Sequence, residues 1–300
     1  MKKRILSIML SCVVLLLCGC NSKSEKYKRI SFDAEMLSDD LAKYTNNDTV
    51  VINEVNTTFT NQLPIYKIMN REISDLAFRQ MEEQLGITDW YWNESEGNKV
   101  YSRIAPYNDP ARGYFYTLEM TDQELEQLAW DTFNKISFLE GEYEYSGITA
   151  TMTEWTMADG ESVTEVTVSF RRVLDGICVV GNDRCDLTFD ASGLVELYIT
   201  LFDYQKTGMM DLVSLQDAAA RIKTPDYFYV DKQEGVADTL QVDSIQLSLV
   251  NQFTEGCTIL QPIYTFFGTA MLKDDNQAEF KSRVIAIPEI YTYEDITQGT

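Results

Sequence analysis

The stretch RRVLDGICVVGNDRCDLTFDASGLVEL, residues 171–197, decides how this chain is read. Short apolar runs are punctuated by Asp175-Gly176, Gly181-Asn182 and Ser192-Gly193, pairs that suit tight turns between antiparallel strands. The stretch also carries Cys178 and Cys185, in a chain with no histidine. If Gly181-Asn182 is a two-residue hairpin turn, Cys178 stands opposite Cys185, within the Cα range of a disulfide. If the turn is Asn182-Asp183, Cys178 faces Leu187 and no bridge forms. A Cys178–Cys185 disulfide and two separate thiols packed as small apolar groups both stay open. A reactive thiol is not expected. No imidazole exists to activate it, and Asp183 and Asp186 would raise its pKa. The stretch reads as architecture rather than chemistry.

Outward from it, three helix starts stand out. Thr121 followed by Glu124 is a capping box, with Leu125, Leu128, Ala129 and Ile136 on one face behind it. Ser214 with Asp217 caps a second segment, in which Leu215, Ala218, Ala219 and Ile222 fall at helical spacing before Pro225 stops it. Ser74 caps a third, with Leu76, Phe78, Met81 and Leu85 as apolar surface and Gly86 at its C-terminal end. Each helix is followed by strand-like sequence. The chain therefore reads as α+β, in repeated units of one helix packed on antiparallel sheet. Leu63-Pro64-Ile65-Tyr66 is echoed by Gln261-Pro262-Ile263-Tyr264, and both read as edge strands opened by a proline.

The N-terminus reads as an address. Lys2, Lys3 and Arg4 precede an apolar run from Ile5 to Cys18, too short for an ordinary spanning helix and suited to a signal segment. The run ends Leu17-Cys18-Gly19-Cys20, which resembles a bacterial lipobox and implies cleavage before Cys20 and lipidation of its thiol. Residues 20–29 follow as a tether whose Lys23, Lys26, Lys28 and Arg29 lie close to the lipid. Without residues 1–19 the chain has three fewer basic residues than the 25 of the whole, against 47 acidic ones, a net of about −25. That balance argues against a nucleic-acid partner. The missing histidine also removes histidine triads and HExxH zinc sites. The acidic clusters match no EF-hand loop and read as solvated faces, so neither a metal nor a cofactor is expected. Trp90 and Trp92, two residues apart on one side of a strand, are the candidates for stacking on a sugar ring.

A family resemblance appears from about residue 120 to 290. The order is an alternating strand ending FRRVLDGICVVG, then RCDLTFDASGLVELYITLFDY, the capped VSLQDAAARI, DSIQLSLVNQF and LQPIYTFFG. It resembles PepSY-like extracytoplasmic domains, most closely the YycI/YycH type of membrane-anchored regulators of a cell-wall histidine kinase. That type carries a transmembrane helix, whereas this chain has the lipobox. The chain then divides into an N-terminal α+β unit over 30–119 and, as the resemblance implies, PepSY-like units over 120–210 and 211–300. The resemblance also implies no catalytic residues. The expected protein is a non-catalytic lipoprotein, held through Cys20 on the outer face of a bacterial cell membrane, that binds or regulates another envelope protein or peptide. The alternative is a lipoprotein binding glycan or a small ligand at Trp90 and Trp92.

Overall fold

A computed structural model describes residues 25–28, 49–52, 59–88, 90–94, 100–106, 113, 116–156, 160–181, 183–222, 227–230, 237–251, 259–272, 277–287 and 290–293. Cys20 and the signal segment lie outside them. All three helices begin at the caps expected from sequence. In α1 (Asp75–Leu85) the Ser74 hydroxyl accepts from Ala77 N, and Gly86 closes the helix at φ 69°, a left-handed conformation that costs glycine least. Phe78 and Met81 are buried. Leu76, expected among them, is 67% exposed, because two residues of helix turn it about 200° away from Phe78.

In α2 (Asp122–Phe133) the capping box is complete: Glu124 N donates to Thr121 Oγ1 at 3.3 Å, and Thr121 N donates to Glu124 Oε2 at 2.9 Å. Leu125, Ala129 and Phe133 make its buried stripe. Ile136 is buried as expected, but in the turn after the helix. In α3 (Leu215–Ala220) Asp217 N donates to Ser214 Oγ at 3.0 Å. Pro225 falls outside the described residues, and the helix has already ended at Ala220.

The rest is mostly strand: β1 (Glu25–Lys28), β2 (Thr49–Ile52), β3 (Gln62–Asn70), β4 (Tyr91–Glu94), β5 (Val100–Ile104), β6 (Glu142–Thr156), β7 (Gly160–Leu174), β8 (Ile177–Gly181), β9 (Arg184–Asp190), β10 (Gly193–Thr200), β11 (Phe202–Asp211), β12 (Tyr227–Val230), β13 (Ala237–Asn251), β14 (Gln261–Leu272), β15 (Gln277–Ile285) and β16 (Ile290–Tyr293). Twelve of them form one sheet in the order β12-β15-β14-β13-β8-β7-β9-β10-β5-β4, with β6 on β7 and β2 on β13. The fold is α+β, as expected, but the sheet is mixed: β13 runs parallel to both β2 and β8.

The sheet packs in three core patches. Under α1 and α2, Val166, Val168 and Phe170 of β7 join Cys185, Leu187 and Phe189 of β9 in the first core. Under α3, Val242, Ile245, Phe266, Phe280 and Val284 form the second. Between them the ribbon made by β3 and β11 supplies Leu63, Ile65 and Met210 to a third core with Val179, Leu249 and Ile263. These alternations place the intervening residues on the opposite face, which is polar around Thr167, Ser169 and Arg171 and around Gln246 and Thr265, whereas Val250, Ile263 and Ile285 share that face by register and are buried in the third core.

The pairings cross the unit boundaries expected from sequence. Among the described residues of 30–119, β4 pairs with β5, and the other pairings reach outside the segment. β2 pairs with β13, β3 with β11, β5 with β10, and α1 shares the core of α2. β11, expected inside the 120–210 unit, leaves that unit's sheet for the ribbon. The echo of Pro64 and Pro262 also separates. β3 belongs to a two-stranded ribbon, whereas β14 is central, between β13 and β15. Pro262 is tolerated there because it sits at the second residue of the strand, where its missing N–H costs little. Part of the expected tether is strand as well: residues 25–28 pair with 290–293.

Candidate functional site at the seam of the sheet

The two halves of the sheet join through β8. It forms a two-pair hairpin with β7, Val173 opposite Cys178 and Leu174 opposite Ile177. The turn residues Asp175 (φ 50°) and Gly176 (φ 78°) both have positive φ, as a type I′ turn requires. β8 then leaves β7 and runs parallel to β13, with Val179, Val180 and Gly181 beside Leu249, Val250 and Asn251. Gly181 is demanded here: its φ is 111°, and an added Cβ would stand 2.7 Å from the Asn251 carbonyl oxygen. The chain returns to β7 as β9, with Arg184 opposite Arg171 and Cys185 opposite Phe170.

This path decides the cysteine question. Cys178 pairs with Val173 and Cys185 with Phe170, three residues apart on β7 and so on opposite faces. Both are free thiols. β8 and β9 each pair with β7 rather than with each other, and Asn182 lies outside the described residues. Cys185 lies in the first core, and burial pushes its thiol well up. Cys178 faces the open side. Burial, with a hydrogen bond to the Glu144 carboxylate, pushes it up to about 12. Neither is a thiolate near neutrality.

On that open side the seam forms a groove of about 270 Å³. Glu144 and Ser146 of β6 and Arg171 of β7 make one wall. Cys178, Val180, Gly181, Gln246 and Ser248 form the floor. Thr265 and Phe267 of β14 and Lys281 and Arg283 of β15 make the other wall. Strand register builds it: Gln246, Thr265 and Arg283 are successive partners across three strands, and Phe267 is opposite Lys281. Arg171 Nη1 donates to the Gly181 carbonyl at 3.2 Å. Lys281 Nζ sits 5.2 Å from the centre of the Phe267 ring, a cation–π contact. Partial burial lowers the Lys281 pKa, and neighbouring Arg283 lowers it further. Burial also lowers that of Arg171, with Asp186 opposing and Arg184 adding to the effect.

The open face continues across β6, β7 and β9 as a hydrogen-bonded ladder. Thr167 and Thr188 hydroxyls meet at 2.8 Å, Thr149 and Ser169 at 2.9 Å, and Ser169 Oγ donates to Asp186 Oδ1 at 2.6 Å. Arg184 pairs with Asp186 at 2.8 Å and lies over the Tyr198 ring.

Behind the seam, on the covered side, Asp183 is fully buried. Neither carboxylate oxygen makes a hydrogen bond of good geometry. Burial raises its pKa to about 6, a rise softened by the Tyr204 hydroxyl and by Arg172 and Arg71. Asn251 Nδ2 donates to the Tyr204 hydroxyl at 3.4 Å.

Trp90, one of the two candidates for stacking on a sugar, packs partly buried against the first core. Trp92 is at a register position opposite Arg103 in β4, and its side chain lies outside the described residues. Among the described residues no group of three His, Cys, Asp or Glu is placed to hold a metal, and no helix is long and apolar enough to cross a membrane. Arg171, Lys281, Arg283 and Asp183 were not singled out from sequence as site residues. One local signal was present: in Phe280-Lys281-Ser282-Arg283-Val284 two cations alternate onto one face of a strand, in a chain of net charge −22. No protein-family model matches the chain, and no curated protein is similar to it.

Proposed function

We propose that this is a non-catalytic lipoprotein, anchored through Cys20 outside the cell membrane, that uses the seam groove to bind a segment of another envelope protein or peptide. The groove carries the reading. Among the described residues that line it, Arg171, Lys281 and Arg283 stand with one acid, Glu144, in a chain whose net charge is −22. A local excess of positive charge in an acidic protein steers and selects an oppositely charged partner. Support for the non-catalytic part comes from the buried, protonated thiols and from a sequence without imidazole. The order helix then strands occurs twice, α2 before β6 to β10 and α3 before β12 to β15. With lipid on Cys20, the four residues before β1 would hold the body within roughly 17 Å of the membrane surface.

The test is crosslinking in intact cells, followed by isolation of the lipidated protein. One dominant envelope protein, lost when Lys281 and Arg283 are both changed to Gln, supports the reading. Capture of the same set of proteins by wild type and double variant overturns the groove as the site. Loss of the membrane fraction on Cys20→Ala checks the anchor.

A further inference from the structure

The buried carboxylate of Asp183 stands two residues along the chain from Gly181, which helps to floor the groove. Titratable and charged groups act on it from every element around it. Tyr204 and Asp203 do so from β11, Arg172 from β7, Arg71 from just past β3, and Tyr143 from β6. Arg71 is shared between Glu140 at 3.4 Å and Asp203 at 3.7 Å, and Arg172 lies over the Tyr143 ring. Cys185, two residues on along β9, is a buried neutral thiol. A chain of contacts leads from Asp183 through the sheet. The Tyr204 hydroxyl is shared between Asp183 and Asn251, whose Nδ2 donates to it at 3.4 Å. Asn251 is the cross-strand partner of Gly181, and its backbone oxygen is so close that a Cβ on Gly181 would stand 2.7 Å away. The Gly181 carbonyl in turn accepts from Arg171 Nη1 at 3.2 Å, at the groove wall. Both carboxylate oxygens of Asp183 and the Oδ1 of Asn251 are buried without a hydrogen-bond partner among the described residues.

Resting on the reading above that the groove is a partner site, we propose that Asp183 is its proton switch: gain or loss of the carboxyl proton passes through Tyr204 and Asn251 to Gly181 and Arg171 and sets how firmly the groove holds an anionic partner. An ionised Asp183 can only accept, so the bonds run one way, from the Asn251 amide to the Tyr204 hydroxyl to the carboxylate. A protonated Asp183 is a donor. Tyr204 then accepts from it and turns its own hydrogen to Asn251 Oδ1, the buried acceptor without a partner. The Asn251 side chain shifts to receive that bond, and Gly181 follows because the two backbones are in contact. Ionisation also adds a negative charge, in low-dielectric surroundings, behind a groove that selects anions. The partner is therefore held in mild acid and released toward neutral pH. Burial puts the change in a useful range, since it raises the Asp183 carboxyl to about 6. Histidine, the usual residue for a switch at this pH, is absent from the chain.

Val180-Gly181 is the one Val-Gly pair in the sequence, so the full chain in detergent micelles, made with carbonyl-labelled valine and nitrogen-labelled glycine, gives a single carbonyl-to-amide NMR signal. Followed from about pH 4.5 to about pH 8, that signal should move through one transition, and Asp183→Asn should abolish it. Tyr204→Phe keeps the charge but cuts the chain of hydrogen bonds, so it should shrink the movement by about half or more. Thermal melts confirm that the variants fold, and Asn251→Ala serves if Tyr204→Phe does not. A Gly181 signal that ignores pH, or that titrates as in wild type in either Asp183→Asn or Tyr204→Phe, overturns the switch. Crosslinking in intact cells at about pH 5.5 and about pH 7.5 tests its reach to the partner. Capture by wild type should fall about fivefold or more at the higher pH, and capture by Asp183→Asn should change less than about twofold. Equal capture by wild type at the two pH values, or an equal fall in wild type and Asp183→Asn, overturns the inference and leaves the proposed function standing. A titrating Gly181 with no protein captured at either pH overturns the proposed function and keeps the switch.

Discussion

Phe170 and Arg171 are neighbours on β7 and belong to different environments. Phe170 is fully buried, stacked on Phe133 at 4.3 Å between centroids and edge-on to Trp130 at 4.7 Å. Arg171 lines the groove on the other face. The covered face is closed by α1 and α2, the β3–β11 ribbon and α3 in turn. Around the groove the other face carries hydroxyls, amides and charges, and beyond it Val250, Ile263 and Ile285 on that face are buried. If the proposed groove is the binding site, substitutions at Phe170 should move stability and substitutions at Arg171 should move binding.

The largest effect is expected from Phe170→Ala. Losing a packed ring from the first core should cost about 3–5 kcal/mol in urea unfolding. Arg171→Gln, one residue on, should cost less than about 1 kcal/mol and act on binding instead. Equal losses from the two would break the comparison.

Asp183 comes next and is read through pH. Its folded pKa of about 6 lies above the ordinary value of 3.8, so the folded state holds the proton more tightly than the unfolded one. That contribution to stability is full at low pH and is lost as pH rises from about 4 through 6. The shift corresponds to about 2–3 kcal/mol. Asp183→Asn should remove this component, so the difference in unfolding free energy between pH 4.5 and 7.5 should change by about that amount. Parallel pH profiles for variant and wild type would mean that the carboxylate is not desolvated.

The two cysteines give a smaller, matched contrast. Cys185→Ser places a hydroxyl in an apolar core and should cost about 1–3 kcal/mol. Cys178→Ser, next to Glu144 and the groove, should cost less than about 0.5 kcal/mol. A reductant should leave the melting temperature unchanged, because no bridge joins them. A large reductant effect would show that the two thiols do share a face.

The smallest effect on stability is expected at Lys281. Lys281→Gln removes repulsion from Arg283 but also a contact with Phe267, and the net change should stay within about 0.5 kcal/mol in thermal melts. A loss above about 2 kcal/mol would make Lys281 a structural residue and move recognition elsewhere.

Local features were legible in the sequence because their causes are local. Ser74, Thr121 and Ser214 cap helices through hydrogen bonds to residues three positions on, and Asp175-Gly176 turns the chain within two residues. The alternation of Val166, Val168 and Phe170 against Thr167, Ser169 and Arg171 likewise marks two faces without reference to any partner. The candidate site was less legible. Trp90 carried a bulky, noticeable side chain, but a tryptophan beside a strand is equally at home in a core, and that is where it packs. Lys281 and Arg283 could be seen to share a strand face, but nothing in their neighbourhood said that Arg171, over a hundred residues earlier, would form the opposite wall.

By itself, then, the sequence determined the element types, the helix caps, the turn chemistry and the α+β class. Each follows from backbone preferences and side-chain contacts within a few residues. Only the tertiary structure decided that β8 would leave its hairpin to run beside β13, that β3 and β11 would pair across the first two expected units, and that Cys178 and Cys185 would face apart. Those choices are made by nonlocal pairings whose loop-closure cost is nearly indifferent to which strands meet, and which are selected by how the buried faces fit together. The groove exists only because of that selection.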